Sequence, residues 1–372
     1  MAKLSKKSNL DRKIAFFLNN LNGGGAERVA VTIANILASQ GYSVTLILNK
    51  KSGPYLSDVS KTVKLVELGN RMRYSLPLLY KTIKTNQIDA IFSFLDQPNI
   101  AILLIKPLLR NTKVIVTECN NPLYNPKNIK YEFIWRLIRL LKPLLYPFAD
   151  HIISKSKDVK YILNKKFSCS IDNITVINNP VDFIKINQVI SGTKKTQVDP
   201  NRIPQIVAVG RLHEQKDFPT LFHAVSLLVK KIRIKLLVLG DGQERENLLE
   251  LRNKLELMDV IEMPGFVSNP YQIISNSDCF VLSSKWEGWP NSLLESLACG
   301  TPAVSTDCIS GPREILKNGK LGFLVKVGDA ENLSEAIYNT LNDPVASDML
   351  IQRAKEFTPE KAAAMYLNIA LS

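Results

Sequence analysis

Short apolar runs alternate with longer amphipathic stretches along most of the chain, and turns rich in glycine, asparagine or proline separate them. Runs of that length suit buried strands, and apolar residues at helical spacing suit the stretches between. In the first half the strands are expected at 13–18, 43–48, 90–95, 114–117, 151–154 and 174–177, with a helix over 27–40 that Gly41 ends. In the second half they are expected at 205–209, 234–239, 279–283, 303–306 and 322–325. Alternation of this kind predicts an α/β fold with parallel sheets. Residues 186–204 lose hydrophobic period and gather Gly, Lys, Thr, Asn and Pro, as a linker does. The expected organisation is a first domain over 1–185, a linker over 186–204 and a second domain over 205–358. A C-terminal helix over 359–372 is expected to pack back on the first domain.

The sharpest unit is DCFVLSSKWEGWPNSLLESLACG, residues 278–300. It reads as strand, loop and helix, with Pro290 as first helical residue and Gly300 as the stop. Leu293, Leu294, Leu297 and Ala298 form the apolar face, and Asn291, Ser292 and Glu295 fall together opposite. Glu287 and Glu295 have seven residues between them. Taken alone, Glu295 is most simply a solvated glutamate on a surface helix. The other strand ends change that balance. Gly210, Arg211 and Lys216 follow one strand, Gly240, Asp241 and Gly242 the next, and Ser310, Gly311 and Pro312 another. Parallel sheets bind ligands beyond the carboxyl ends of their strands. Two cations, glycines and an exposed helix start on one edge describe a phosphate site, with Glu295 available to ribose hydroxyls.

The first half has its own glycine loop, NNLNGGGA, between a strand and a helix. It departs from the dinucleotide fingerprint, because Arg28 stands where a third glycine belongs. Gly23, Gly24 and Gly25 are then either a plain tight turn or a loop that closes over phosphate.

With 372 residues, 45% of them hydrophobic and 22% charged, the chain has core material for two globular domains. No apolar run is long enough to span a membrane, and the basic N-terminus leads directly to a strand without the features of a signal peptide. Five scattered cysteines show no metal-type spacing and suit a reducing compartment. The net charge of +14 is unevenly spread: residues 1–185 hold 28 basic against 12 acidic side chains, and the remainder 20 against 22. A basic half suits an anionic surface. Within it, YEFIWRLIRLLKPLLYPF (131–148) joins aromatic, leucine and basic residues. With Lys127, Lys130, Arg136, Arg139 and Lys142 it reads either as a membrane-surface segment or as a domain helix with one exposed basic face. No nucleic-acid motif is present, so nucleic acid is not an expected partner.

The series VGRLHEQKDFPTL (209–221), LGDGQERENL (239–248), PGFV (264–267), EGWPNSLLESLACGTPAVST (287–306), SGPREI (310–315) and GFLV (322–325) resembles the retaining GT-B glycosyltransferases of family 4, among them bacterial enzymes that extend surface polysaccharide. GGGAERV (23–29), AD (149–150) and NNPVD (178–182) extend the likeness over the first half. The resemblance implies two Rossmann-like domains with parallel sheets facing a central cleft, the nucleotide lying mainly on the second. It implies Arg211 and Lys216 on the diphosphate, Glu295 on the ribose and Val267 near the base. Glu287 and the backbone from Trp289 through Pro290 and Asn291 to Ser292 would handle donor sugar and phosphate, beside Gly210 and Gly240. Gly23 to Gly25 would close over phosphate and acceptor.

Many members carry a histidine after the strand at 114–117, where this chain reads Glu118, Cys119, Asn120 and Asn121. No catalytic histidine is therefore assigned, and Glu118 or Asn120 is expected to do that positioning. The implied reaction moves a sugar, from a UDP-hexose or UDP-N-acetylhexosamine, to a lipid-linked oligosaccharide in O-antigen or capsule synthesis. It would run with retention on the inner face of the cytoplasmic membrane. The chain has no Asp-x-Asp motif, so neither a metal nor a further cofactor is expected. A GT-B sugar-nucleotide epimerase and a non-catalytic nucleotide-binding scaffold are the competing readings.

Overall fold

The computed structural model describes residues 11–22, 24–69, 72–123, 132–191 and 202–372; the side chains of 72, 73, 132–134 and 191 are not described. The chain divides into two compact units, Met1–Pro180 with Pro359–Ser372, and Val181–Thr358.

The first unit runs β1 (Lys13–Leu18), α1 (Gly25–Ser39), β2 (Ser43–Leu48), β3 (Lys64–Glu67), α2 (Met72–Asn86), β4 (Ala90–Phe94), α3 (Asp96–Ile105), β5 (Lys113–Glu118), α4 (Glu132–Leu145), β6 (His151–Ser154), α5 (Lys157–Phe167) and β7 (Ile174–Val176). The second continues with α6 (Phe183–Ser191), β8 (Gln205–Val209), α7 (Phe218–Leu228), β9 (Lys235–Leu239), α8 (Arg245–Lys254), β10 (Ile261–Gly265), α9 (Tyr271–Ser275), β11 (Cys279–Leu282), α10 (Asn291–Ala298), β12 (Ala303–Thr306), α11 (Pro312–Ile315), β13 (Phe323–Val325), α12 (Ala330–Asn342) and α13 (Ser347–Ala354). The last helix, α14 (Pro359–Leu371), returns to the first unit and packs on α1.

Both sheets are wholly parallel, in the orders β3-β2-β1-β4-β5-β6-β7 and β10-β9-β8-β11-β12-β13. Each order reverses direction once, between β1 and β4 and between β8 and β11. Such a switch point opens a crevice where the two following loops diverge. Alternate residues of each central strand enter opposite cores. In β1, Ile14, Phe16 and Leu18 face one cluster with α1 and α14, and Ala15 and Phe17 face the other. In β8, Ile206 and Ala208 face one side and Val207 the other. Covering helices on both faces explain why these strands are continuously apolar.

Several strand limits shift by a residue, and larger differences from expectation stand beside them. Two strands, β3 and β10, stand at sheet edges where no strand was expected. The first helix begins at Gly25 rather than 27. The stretch read as linker begins inside α6, whose Ile186 is fully buried in the second unit's core. Hydrophobic residues in this helix, Phe183, Ile186, Val189 and Ile190, pack inward, so the second unit starts at Val181. Residues 192–201 lie outside the described residues.

Candidate active site

The loops after β8 and β11 meet at the switch point of the second sheet. Lys216 Nζ donates to Glu287 Oε1 at 2.7 Å, and the Glu287 side chain is only 7% exposed. Ser284 Oγ donates to the same oxygen at 2.7 Å, and Gln215 Nε2 to Trp286 O at 2.9 Å. Further bonds tie the loops together: Ser283 Oγ donates to Lys216 O, Lys285 N to Gln215 O, and Thr306 Oγ1 to Ser284 O. Two sequence-predicted residues are thus brought together, and three that sequence reasoning missed, Gln215, Ser283 and Ser284, hold them there. A serine or glutamine between motifs carries no pattern of its own. The available hint was their place in the loops that follow strands β8 and β11.

Glycine makes this packing possible. The Lys216 chain crosses Gly210, where an added Cβ would lie 2.9 Å from Cε. Gly240, with φ +152°, comes so close to Gly210 that an added Cβ would lie 1.9 Å from its carbonyl oxygen. The turn carrying Lys216 is capped by His213, whose Nδ1 accepts from Gln215 N at 3.1 Å. Burial, reinforced by the Arg211 charge, lowers the His213 pKa. That favours the neutral ring, which has a lone pair for this bond. Arg211 itself is exposed and makes no hydrogen bond or ion pair among the described residues.

α10 starts at Asn291, with Pro290 as its N-cap rather than its first helical residue. Pro290 supplies no side-chain cap, and Leu293 N bonds back to its carbonyl oxygen at 3.1 Å; the positive end of the helix dipole at this start favours an anion. The expected division into apolar and solvated faces is corrected: every residue from Leu293 to Ala298 is buried, Glu295 included. Helices α9 and α13 pack on α10, whose Leu293, Leu294, Leu297 and Ala298 share a core with Tyr271, Ile274, Leu350 and Ala354. Asn291 and Ser292 remain partly exposed. Trp289 is buried against the Phe357 ring at 5.3 Å. Ser310, with φ +81°, donates to Gly288 O and stands beside Gly311, which packs against Pro290. Val267 follows β10, half-buried against the core. A cavity of about 300 Å³ lies nearby, lined by His213, Asp217, Phe218, Glu244, Leu248 and Lys285 among others. Arg211, Glu287 and Glu295 do not line it.

In the first unit, Gly24 is the N-cap of α1 and Gly25 its first residue; Gly23 lies outside the described residues. Asn120 is exposed, but Glu118 is turned inward, 1% exposed. Lys142 Nζ bridges Glu118 Oε2 at 2.6 Å and Asp96 Oδ1 at 2.7 Å. Tyr146 OH donates to Glu118 Oε2, and Asn99 Nδ2 donates to Tyr146 OH, both at 3.0 Å. Glu118 therefore ties β5 to α3 and α4. Lys142 is corrected from a basic surface residue to a buried one. Burial opposes its charge, but Glu118 and Asp96 outweigh burial and hold its pKa above the ordinary lysine value. Lys127 and Lys130 lie outside the described residues.

A second buried lysine was also missed. Lys155 follows β6, is 1% exposed and donates to Tyr366 OH of α14 at 2.9 Å. Burial lowers its pKa to about 8. Among the described residues no cluster of His, Cys, Asp and Glu is placed to hold a metal ion.

Two family models match nearly the whole chain, "Glycosyltransferase Family 4" over 23–184 and "Glycosyl transferases group 1" over 193–357. A Campylobacter jejuni protein, N-acetylgalactosamine-N,N'-diacetylbacillosaminyl-diphospho-undecaprenol 4-alpha-N-acetylgalactosaminyltransferase, is 30% identical over 348 residues, covering 89% of this chain and 91% of its own. A second from the same organism, a GalNAc-alpha-(1->4)-GalNAc-alpha-(1->3)-diNAcBac-PP-undecaprenol alpha-1,4-N-acetyl-D-galactosaminyltransferase, is 28% identical and covers 92% and 93%. The solved structure of Anabaena HepE in complex with UDP and glucose superposes with a TM-score of 0.77 at 17% identity, over 96% of this chain and 99% of that one. Sheet order, switch-point loops and matches along both units agree: the chain belongs to the group 1, family 4 glycosyltransferases of GT-B fold.

Proposed function

We propose that this glycosyltransferase moves a hexose or N-acetylhexosamine, with retention, from a UDP-sugar to a lipid-linked glycan in bacterial surface-polysaccharide synthesis. The observation that carries the reading is the Lys216–Glu287 pair across the β8/β11 switch point, beside the start of α10. As the sugar–phosphate bond breaks, negative charge grows on the departing diphosphate. Arg211, Lys216 and the positive end of the α10 dipole are suited to stabilise it. Glu295 receives the ribose hydroxyls, the backbone after β10 at Val267 meets the base, and Glu287 meets the donor sugar. The two Campylobacter relatives are named for N-acetylgalactosamine transfer to undecaprenol-linked glycans, and HepE was solved with UDP; both support donor and acceptor class. No helix among the described residues is long and apolar enough to cross a membrane. The acceptor is met at the cytoplasmic membrane surface through the basic first unit.

Thermal stability against UDP, GDP and ADP, beside Glu295→Ala, tests the donor reading. Nucleotide at 100 times its dissociation constant stabilises by about 2.7 kcal/mol. A UDP-selective shift that the variant loses is expected; no shift with any nucleotide refutes the site. Transfer should continue in EDTA. Lys216→Met should lower kcat/KM by the equivalent of about 2.7–4 kcal/mol, as loss of a transition-state donor does.

A further inference from the structure

α4 is apolar on two sides. Its inner stripe, with Ile138 and Leu145, joins the core of the first unit. Its outer stripe exposes Leu137, Leu140 and Leu144, at 46%, 66% and 63%. Phe148, in the 3₁₀ turn Tyr146–Phe148 that follows, is 69% exposed. Residues three and four apart on a helix stand on one face, so the leucines form a continuous row. Arg136 and Arg139 are exposed along the flank of that row. Scattered surface leucines are ordinary, but a domain helix needs only one apolar stripe. The adjacent α3 and the turn after it expose Leu104 and Leu108 as well.

The buried ion pairs fix which side faces out. Lys142 is held inward by Glu118 and Asp96, and with it the phase of α4. Rotation that buried the outer leucines would pull this ammonium from both carboxylates.

We propose that the outer stripe of α4, with Phe148, is a docking surface for a bilayer that carries anionic lipid. Arginines flanking a leucine row match an anionic headgroup layer above an acyl layer, and a helix lying in that interface needs no spanning length. The excess of 28 basic over 12 acidic side chains in residues 1–185 adds long-range attraction. This inference rests on the reading of a lipid-linked acceptor and names the surface that brings the enzyme to it. Because Glu118 ends β5, the buried pair also links the docked helix to the loop that holds Asn120.

Flotation of the full chain with phosphatidylcholine vesicles, with and without phosphatidylglycerol, tests the proposal. Transfer to a water-soluble short-prenyl acceptor, measured in parallel, reports fold and chemistry. Binding is expected only with phosphatidylglycerol and should fall with salt. Arg136→Ala/Arg139→Ala should weaken partitioning about 30-fold, at about 1 kcal/mol for each cation. Leu140→Ser/Leu144→Ser should lose binding and keep soluble transfer, and a Leu144→Trp indole should shift to the blue on binding. Variants that bind as the unaltered chain does would overturn the proposal. So would self-association abolished by the leucine pair without vesicle binding, since a second copy would then cover the row. Vesicle binding through α4 without transfer to any acceptor would refute the reaction and keep the surface. Transfer with α4-independent binding would do the reverse.

Discussion

Replacing Lys155 by methionine should make the first unit more stable at neutral pH, and the gain should vanish as pH rises. Lys155 is enclosed by Phe94 and Tyr366, with its ammonium 5.9 Å and 5.4 Å from the ring centroids. Among the described residues no carboxylate pairs with it; the phenol oxygen of Tyr366 accepts its hydrogen bond. Burial lowers its pKa to about 8, against about 10.4 in the unfolded chain. Below pH 8 both states are protonated and the cost of burying the charge is fully present. Between about pH 8 and 10.4 the unfolded state alone keeps the proton, so stability rises with pH. A difference of about 2.4 units corresponds to roughly 3 kcal/mol. Methionine recovers that amount and forfeits one hydrogen bond of about 1 kcal/mol, for a net gain near 2 kcal/mol at pH 7. By about pH 10 the variant should be slightly the weaker protein. Cys119 and Tyr366 have pKa values raised by burial, so they lower stability above about pH 8.5 and 10 in both proteins. A Cys119→Ala background removes the thiol from the comparison. Because two units need not unfold together, the readout is hydrogen exchange at amides of β6 and α14, in urea across this pH range. A stability difference constant from pH 7 to 10 would refute the assignment of a buried, shifted amine.

Two structural predictions follow the same logic of partners removed. Lys142→Met leaves Glu118 and Asp96 buried without their cation and should cost about 3–5 kcal/mol. Adding Glu118→Gln should restore part of that loss, and equal melting of Lys142→Met and the unaltered chain would show the ion pairs to be unimportant. Gly240→Ala places a Cβ 1.9 Å from the Gly210 carbonyl oxygen, so its loss should reach the upper end of the ordinary range, about 3 kcal/mol, with weaker UDP binding. Gly328→Ala, also at positive φ but with nothing within 4 Å, is the control and should cost only about 1–2 kcal/mol of backbone strain.

The strands legible in the sequence are those buried on both faces. β1, β2, β6, β8 and β12 match their expected limits because a covered parallel strand is apolar throughout. β3 and β10 escaped for the opposite reason. β3 is KLVE, exposed at both ends, and β10 carries Pro264. An edge strand has one pairing side, so it tolerates charge and proline that a central strand excludes. α6 was hidden by the polar stretch after it, although Ile186 and Ile190 already stood four apart.

The site divides in the same way. Glu287 and Lys216 were legible because glycines, cations and a helix start recur beyond several strands at once. The buried lysines were not, because one lysine among many basic residues reads as solvated. For Lys142 the necessary signal was present. It lies seven residues after Trp135, four after Ile138 and three before Leu145, on the stripe that enters the core. A lysine on that stripe keeps its charge where a buried acid faces it, and Glu118 is the acid at the end of an otherwise apolar strand. Taken together, those two residues place Glu118 inside the unit and leave Asn120 exposed in the loop after it. The same helical phase that hides Lys142 sends Leu137, Leu140 and Leu144 outward. An apolar row that folding leaves uncovered, on a helix held by two ion pairs, has its explanation outside the folded unit.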